Sequence, residues 1–437
     1  MMSKLIHTGL NAGKGPVVKV VAAEGVYYHL EGGKKVLDAS NTGGPVGHSH
    51  PKMVEAMIAA AARSPSINEG WFWAEREKAA EDLIEFAFKG ETSWIGGVRF
   101  FLSGSEANDA ALSFSQAYTG RVALATRERA YHGMTGLARN MTVQPHWHGG
   151  LAVVGGRTQP VPSTIPVRVL PAPIGATYGG IQGSAPVAER LKDAGSTLSD
   201  VAATIIDYTQ GGIYYDSEYQ EHVAKAARDA GSLWIADEVV TGLGRSGRWF
   251  AFQGAESRPD IVTLGKPLGG GAAPAGAVVM SKDIVDSLKD KSWQTYSTFR
   301  GHPLTVAAIR AYITIMQEEK LLERVQNLEK LAKRRLVEIA ERHPSVSRVD
   351  GRGLHWTVEL HGPDWRTWEA NSTSSPLASR VAARALEAGV MIGTSGEQTS
   401  LFLAPPLIID EQQLDSIFSA LDHALEVADQ EYAKSGS

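Results

Sequence analysis

The chain has 437 residues, 43% of them hydrophobic and 21% charged, with a formal net charge of -5. That is a soluble globular balance, long enough for two or three domains, or for one large domain with a smaller partner. The 0 cysteines exclude disulfides, thiolate metal sites and a cysteine nucleophile, and the mild charge gives no reason to expect nucleic acid or an anionic membrane as partner.

The N-terminal MMSKLIHTGLNAGKG has no long apolar core after its lysine, so it does not read as a secretion signal. No run approaches the roughly 18 apolar residues of a membrane span, and the expected compartment is the cytoplasm. GVYYHLEGGKKVLDAS alternates like a hairpin around Gly32-Gly33. VRFFLSG then ends in glycine at Gly104 and passes into the helical SEANDAALSFSQAY. RVALAT follows, and the glycine-rich stretch 149–183 reads as a long functional loop. VAATIID, SLWIADEV, DIVTLG and AGAVVM complete the middle of the chain. Short apolar runs with helices between them predict an α/β domain whose mostly parallel sheet is covered on both faces. Past Pro303 come one or two long amphipathic helices to about His343, then GRGLHWTVELHG, a helix near Leu377 to Glu387, SLFLAPPLII and a last helix from about Glu411. The expected division is a large domain over 49–305 and a smaller α+β domain from 1–48 and 306–437.

Three strand ends carry chemistry, and in open parallel sheets ligands bind outside the carboxyl ends of strands. At LSGSEAND, Gly104 and Ser105 open a helix whose N-terminus suits a phosphate; a serine N-cap with an acidic first turn explains Ser105, Glu106 and Asp109 equally well. At WIADEVV, Asp237 needs a partner, either a cationic ligand group or an arginine such as Arg245. At TLGKPLGGG, Lys266 in an apolar setting has a depressed pKa and becomes an amine nucleophile, unless its stem merely carries the charge to water. A phosphate cradle, a buried carboxylate and a Schiff-base lysine are together what pyridoxal 5'-phosphate (PLP) needs. Two other patterns are set aside. GLGRSG fits the spacing of a dinucleotide fingerprint, but RWFAFQ behind it does not read as the required helix. His48 with His50, and His146 with His148, have no carboxylate at metal-binding spacing, so no metal is expected.

The chain resembles the class III, fold-type I, PLP-dependent aminotransferases through nearly its whole length. GHSHP (from Gly47), SGSEAND, YHG (from Tyr131), DEVVTGLGRSG with PDIVTLGKPLGGG, TFRGHP (from Thr298) and LAPPLII resemble family segments in the right order. The resemblance implies that Lys266 carries the cofactor and that Asp237 bonds its pyridine nitrogen. It puts Tyr131 and Val239 on the two ring faces, with Gly104 and Ser105 on the phosphate. Thr298 would reach the phosphate of a second subunit, which implies a homodimer as the least active unit. His132 and Asp207 complete the implied cofactor set, although Asp207 stands where the family has Glu-Pro.

Departures bear on the substrate. Met134 and Phe402 stand where relatives that grip carboxylates carry arginine, the natural bidentate clamp. Arg300 replaces a small residue and reads as a surface charge rather than an anion contact. EGWFWAE places Trp71 and Trp73 where relatives line the pocket. An aromatic pocket without clamps resembles the ω-amine:pyruvate transaminases. The expected reaction moves an amino group from an amine or ω-amino donor to a keto acid or aldehyde. An aminomutase, racemase or lyase on the same scaffold is one alternative, and a nicotinamide-dependent oxidoreductase resting on GLGRSG is another.

Overall fold

The computed structural model describes residues 18–63, 67–144, 149–151, 160–171, 187–210, 213–214, 217–361, 376–396 and 398–435. His146, His148 and most of the glycine-rich stretch lie outside the described residues.

The apolar runs of the middle region form one seven-stranded sheet. Its spatial order is Ile95–Phe101, Gly276–Ser281, Ile261–Leu264, Leu233–Asp237, Val201–Asp207, Ala123–Arg127, Val167–Leu170. Gly276–Ser281 is antiparallel to both of its neighbours, and the other pairs are parallel. Every residue of Val201–Asp207 is buried, as a continuous apolar run requires when helices cover both faces. Val167–Leu170, a strand too short and too charged to stand out in the sequence, closes the edge.

Register positions the site. Asp237 stands beside Asp207 on one side and Thr263 on the other. Asp207, Asp237 and, just beyond Thr263, Lys266 therefore open on the same carboxyl end of the sheet. Helix Gly104–Thr119 starts at that end, directly after strand Ile95–Phe101. Its cap is Ser103, whose side chain accepts the Glu106 N–H at 3.1 Å, and not Ser105. Ser105 is thereby left in the first turn, free of the capping task. The helix stops at Gly120, in the left-handed region with φ 71°.

The hairpin expected around Gly32-Gly33 joins Tyr27–Leu30 to Lys35–Asp38, with both glycines at positive φ. Lys35–Asp38 then pairs in parallel with Val390–Met391, so the two ends of the chain share a sheet. A second small sheet runs in the order Val346–Arg352, His355–Leu360, Ser400–Leu403, Gly393–Thr394. Helices Pro303–Glu318, Leu321–Arg342 and Glu411–Ser435 complete this part. Among the described residues no helix is long and apolar enough to cross a membrane.

GLGRSG is a chain of tight turns. Leu243, Gly244 and Gly247 have positive φ, and Arg245 is buried with its guanidinium on the carbonyls of Leu354 and Pro405. The next element is the short 3-10 turn Ala251–Gly254, so the fingerprint lacks the helix that would present a pyrophosphate with free N–H groups.

Candidate active site

A cavity of about 770 Å³ opens at the carboxyl end of the central strands. Lys266, Asp237, Asp207 and Val239 line its base, and Gly104, Ser105, Tyr131 and His132 one flank. Met134, Phe402 and His355 line it as well.

Asp237 is held from three directions. Its Oδ2 accepts the Asn108 amide at 2.8 Å and His132 Nδ1 at 2.7 Å, while Oδ1 accepts the backbone N–H of Val239 at 3.0 Å. Arg245 is not its partner, contrary to the pairing weighed from the sequence, because the turns of GLGRSG aim that side chain at the small sheets. A carboxylate only accepts, so His132 Nδ1 is the donor to Asp237, and Nε2 hydrogen-bonds with the Thr126 hydroxyl at 3.0 Å. Asn108 is a site residue that motif reading missed, although it is the N of SGSEAND. It sits on the buried face of helix Gly104–Thr119, donates also to the His132 carbonyl at 2.8 Å, and keeps a buried Oδ1 with no partner among the described residues.

Lys266 follows strand Ile261–Leu264 and has φ 32°, in the left-handed region that a non-glycine residue adopts only when its surroundings enforce it. Gly265 must be glycine, because an added Cβ would lie 2.9 Å from the Gly104 backbone. The side chain projects into the cavity, so it has open surface, yet protein walls surround that surface. Burial pushes the amine's pKa down, and the nearby carboxylates of Asp237 and Asp207 pull it part of the way back. An amine with a lowered pKa spends more time neutral, which is the nucleophilic state.

Asp207 answers to a residue that the sequence reading did not single out. Arg127, almost fully buried, places Nη2 2.9 Å from Asp207 Oδ1 and donates Nε to the Asp207 carbonyl at 3.2 Å. Burial raises the Asp207 pKa, opposed by Arg127 and then His132. Burial also raises the Tyr131 hydroxyl, with Asp237 adding to it.

At the helix start, Ser105 Oγ accepts the Met134 N–H at 3.3 Å. Gly104 packs so closely that a Cβ there would lie 2.6 Å from the Val239 methyls. Phe402 lies over its cross-strand partner Gly393, whose Cβ would strike the ring, and meets His355 edge to face at 6.4 Å. Burial holds His355 neutral, its pKa pushed down to about 3, with Arg245 and Lys266 adding to the effect.

Three predicted residues are not brought to this cavity. Trp71 is 68% exposed, Trp73 packs beside Arg76, and Thr298 is exposed on a separate segment. Arg300 corrects its expectation outright: it is 4% exposed, not a surface charge, and its guanidinium lies 4.4 Å above the Phe101 ring. His48 and His50 each face one carboxylate, Asp38 at 3.1 Å, ten residues earlier in the chain, and Glu319 at 3.0 Å, far from it in sequence.

The family model for aminotransferase class-III matches residues 10–425. The chain belongs to the class III aminotransferases. It is a PLP-dependent transaminase with the fold-type I architecture described above. It is 30% identical over 421 residues to an acetylornithine aminotransferase of Methanocaldococcus jannaschii, covering 94% of each chain. It is 31% identical to a leucine/methionine racemase of Thermococcus litoralis, over 90% of this chain and 86% of that one. The fold superposes with TM-score 0.89 on an S-selective transaminase from Arthrobacter sp. with alanine bound, at 30% identity, over 97% and 96% of the two chains. In this transaminase Asp237 and Lys266 stand at the ends of two neighbouring parallel strands.

Proposed function

We propose that this transaminase takes its amino group from an amine or ω-amino donor and passes it to a keto acid such as pyruvate, in two half-reactions at one site. The observation that carries the reading is a cavity lined by Lys266 and Asp237 together with Met134 and Phe402 and, among the described residues, by no arginine.

The residues fit PLP. Asp237 Oδ1 and Oδ2 are fixed by Val239, Asn108 and His132, so the carboxylate is aimed before any ligand arrives. It would keep a pyridine nitrogen protonated. The bound cofactor supplies the electron sink for the bond broken at the donor carbon. Gly104 and Ser105, at the start of a 16-residue helix, offer N–H groups and the positive end of the helix dipole to a phosphate. Tyr131 and Val239 flank the ring position. His132 acts through Asp237, holding the carboxylate while its own Nε2 is anchored by Thr126. Asp207 and Arg127 add a near-neutral pair that lets two acidic strand ends stand side by side. Lys266 Nζ, pushed toward its neutral form, would hold the cofactor and would be the group that carries a proton at the donor carbon.

A second copy of the chain completes the site on this reading. Thr298 would reach the other copy's phosphate, and Trp71 and Trp73 would serve its pocket. The small domain from 1–48 and 306–437 is read from the sheet that joins Lys35–Asp38 to Val390–Met391.

Single-turnover half-reactions test the donor class. Simple amines or β-alanine should discharge the cofactor band faster than glutamate or ornithine. The reverse order overturns the substrate reading and leaves the transaminase intact. The racemase likeness supports one other outcome: exchange of the donor's α-proton with solvent without formation of a ketone.

A further inference from the structure

Arg300, itself buried, centres a partly buried ionic cluster that joins three segments. Its Nη1 donates to the Thr295 carbonyl at 3.1 Å and to Glu69 Oε1 at 3.4 Å, and its Nη2 to the Thr295 hydroxyl at 3.2 Å. Nη2 also lies 3.8 Å from Glu106 Oε1. Glu69 Oε1 is shared with Arg99, whose Nε and Nη2 donate at 3.1 and 3.0 Å. Arg99 Nη2 reaches the Thr295 carbonyl at 2.8 Å as well. Arg76 completes the link by donating to the carbonyls of Glu69 at 3.0 Å, Trp71 at 3.3 Å and Gly301 at 3.4 Å.

The placement of this cluster matters more than its size. Glu106 stands in the first turn of helix Gly104–Thr119, and its other oxygen accepts the Leu102 N–H at 2.8 Å, on the loop that enters the helix. One end of the cluster therefore grips the proposed phosphate cradle. The other end grips the bases of two segments whose tips point away from the chain: Trp71 and Phe72 are 68% and 79% exposed, and Tyr296 and Phe299 are 64% and 56% exposed. Burying a guanidinium costs several kcal/mol unless good geometry repays it. Here the two Nη groups fork onto the carbonyl and hydroxyl of Thr295, and the ring of Phe101 and the carboxylates of Glu69 and Glu106 offset the cost, at a position where the resembled family has a small residue.

We infer that Arg300 is a positioning residue that locks the 295–299 and 69–72 segments to the phosphate-binding helix of the same chain, so that the cofactor in each copy is held in register by both. This rests on the reading that Thr298 serves the second copy's cofactor. A purely structural ion pair would affect melting and leave cofactor retention alone.

The test is the rate of PLP release from the holoenzyme into a scavenger, followed at the cofactor band well below the melting temperature, with melting recorded in parallel. Arg300→Ala and Glu69→Gln should each speed release roughly tenfold, the scale of a lost charged hydrogen bond. Arg300→Lys should fall between them and the wild type, because an ammonium cannot form the fork. Thr298→Ala should speed release alike, and the Arg300→Ala/Thr298→Ala pair should be no faster than Thr298→Ala alone. If Arg300→Ala fails to fold, the lysine and Glu69 variants carry the test. Unchanged release in the Arg300 and Glu69 variants, beside fast release in Thr298→Ala, overturns the inference alone. Unchanged release in Thr298→Ala overturns the two-copy reading as well. Additive effects in the double variant show that Arg300 does not act through Thr298, and overturn the inference too.

Discussion

The strand ends that carry Asp207, Asp237 and Lys266 and the outward segments that carry Trp71 and Thr298 are built in opposite ways. At the strand ends the backbone sets the geometry. Parallel register puts Asp237 beside Asp207 and Thr263, and only side-chain protonation remains to be tuned. In the outward segments the backbone is irregular, and side chains set the geometry through Glu69, Arg76, Arg99 and Arg300. A sheet end is thus rigid without help. An irregular segment needs a fastening of its own, and here that fastening is charged and centred on the buried Arg300.

The largest effect belongs to the strand ends. Lys266→Ala should reduce transamination by on the order of 10⁴-fold, because attachment of the cofactor and proton transfer are lost together. Added methylamine should restore part of the proton transfer. Near-wild-type turnover in this variant would show that Nζ is not the acting group.

Next come the groups that hold Asp237. Asn108→Ala removes one hydrogen bond to a charged oxygen, worth about 1.5–3 kcal/mol, and should lower kcat roughly 10- to 100-fold while the fold persists. Steady-state rates beside a melting curve check this, and equal losses in both would assign Asn108 to the fold instead.

Stability should respond most to Arg127. Arg127→Met leaves Asp207 buried without its cation, at a cost of about 3–5 kcal/mol. Denaturant titration measures it, and an Arg127→Met/Asp207→Asn pair should recover most of the loss.

Glu238 gives a smaller, pH-dependent effect. Burial pushes its pKa up from the ordinary 4.5 of a glutamate to about 7, opposed by bonds from Thr241 and Phe252 and reinforced by Asp237. A raised folded-state pKa means that the native protein holds the proton longer than the unfolded chain. The protein therefore loses stability as pH rises from about 4.5 to about 7, by no more than about 3 kcal/mol. Glu238→Gln has no such proton to lose. The melting temperature of the wild type relative to this variant should be higher at pH 5 than at pH 8, and a flat difference would show that Glu238 ionises normally.

The smallest change concerns the wall of the cavity. Phe402→Arg, if the guanidinium can turn away from Gly393, should improve the half-reaction with glutamate several-fold, the scale of one exposed charge pair. No gain would place the carboxylate subsite elsewhere.

Much of this was legible in the chain itself. Apolar runs marked six of the seven strands of the large sheet, and glycine marked the turn at Gly32-Gly33, because hydrophobic periodicity and backbone freedom are local properties. Lys266, Asp237 and the helix start at Gly104 stood out because sheet topology sends strand ends to one place. The sequence left open whether Ser105 caps the helix or faces a phosphate; Ser103 takes the cap, and only the backbone path into the helix decides between two chemically alike serines. Asn108 and Arg127 went unread, because their roles exist only once a helix face or a neighbouring strand is laid against Asp237 and Asp207. Arg300 was read with the wrong sign of burial. Its charge said surface, and only the convergence of Glu69, Glu106 and Phe101 from distant parts of the chain supplied the partners that let it go inside. The sequence alone determined six of the seven strands of the large sheet and which groups stand at their ends. The tertiary structure decided which charges are buried, because burial of a charge depends on partners that no local pattern records.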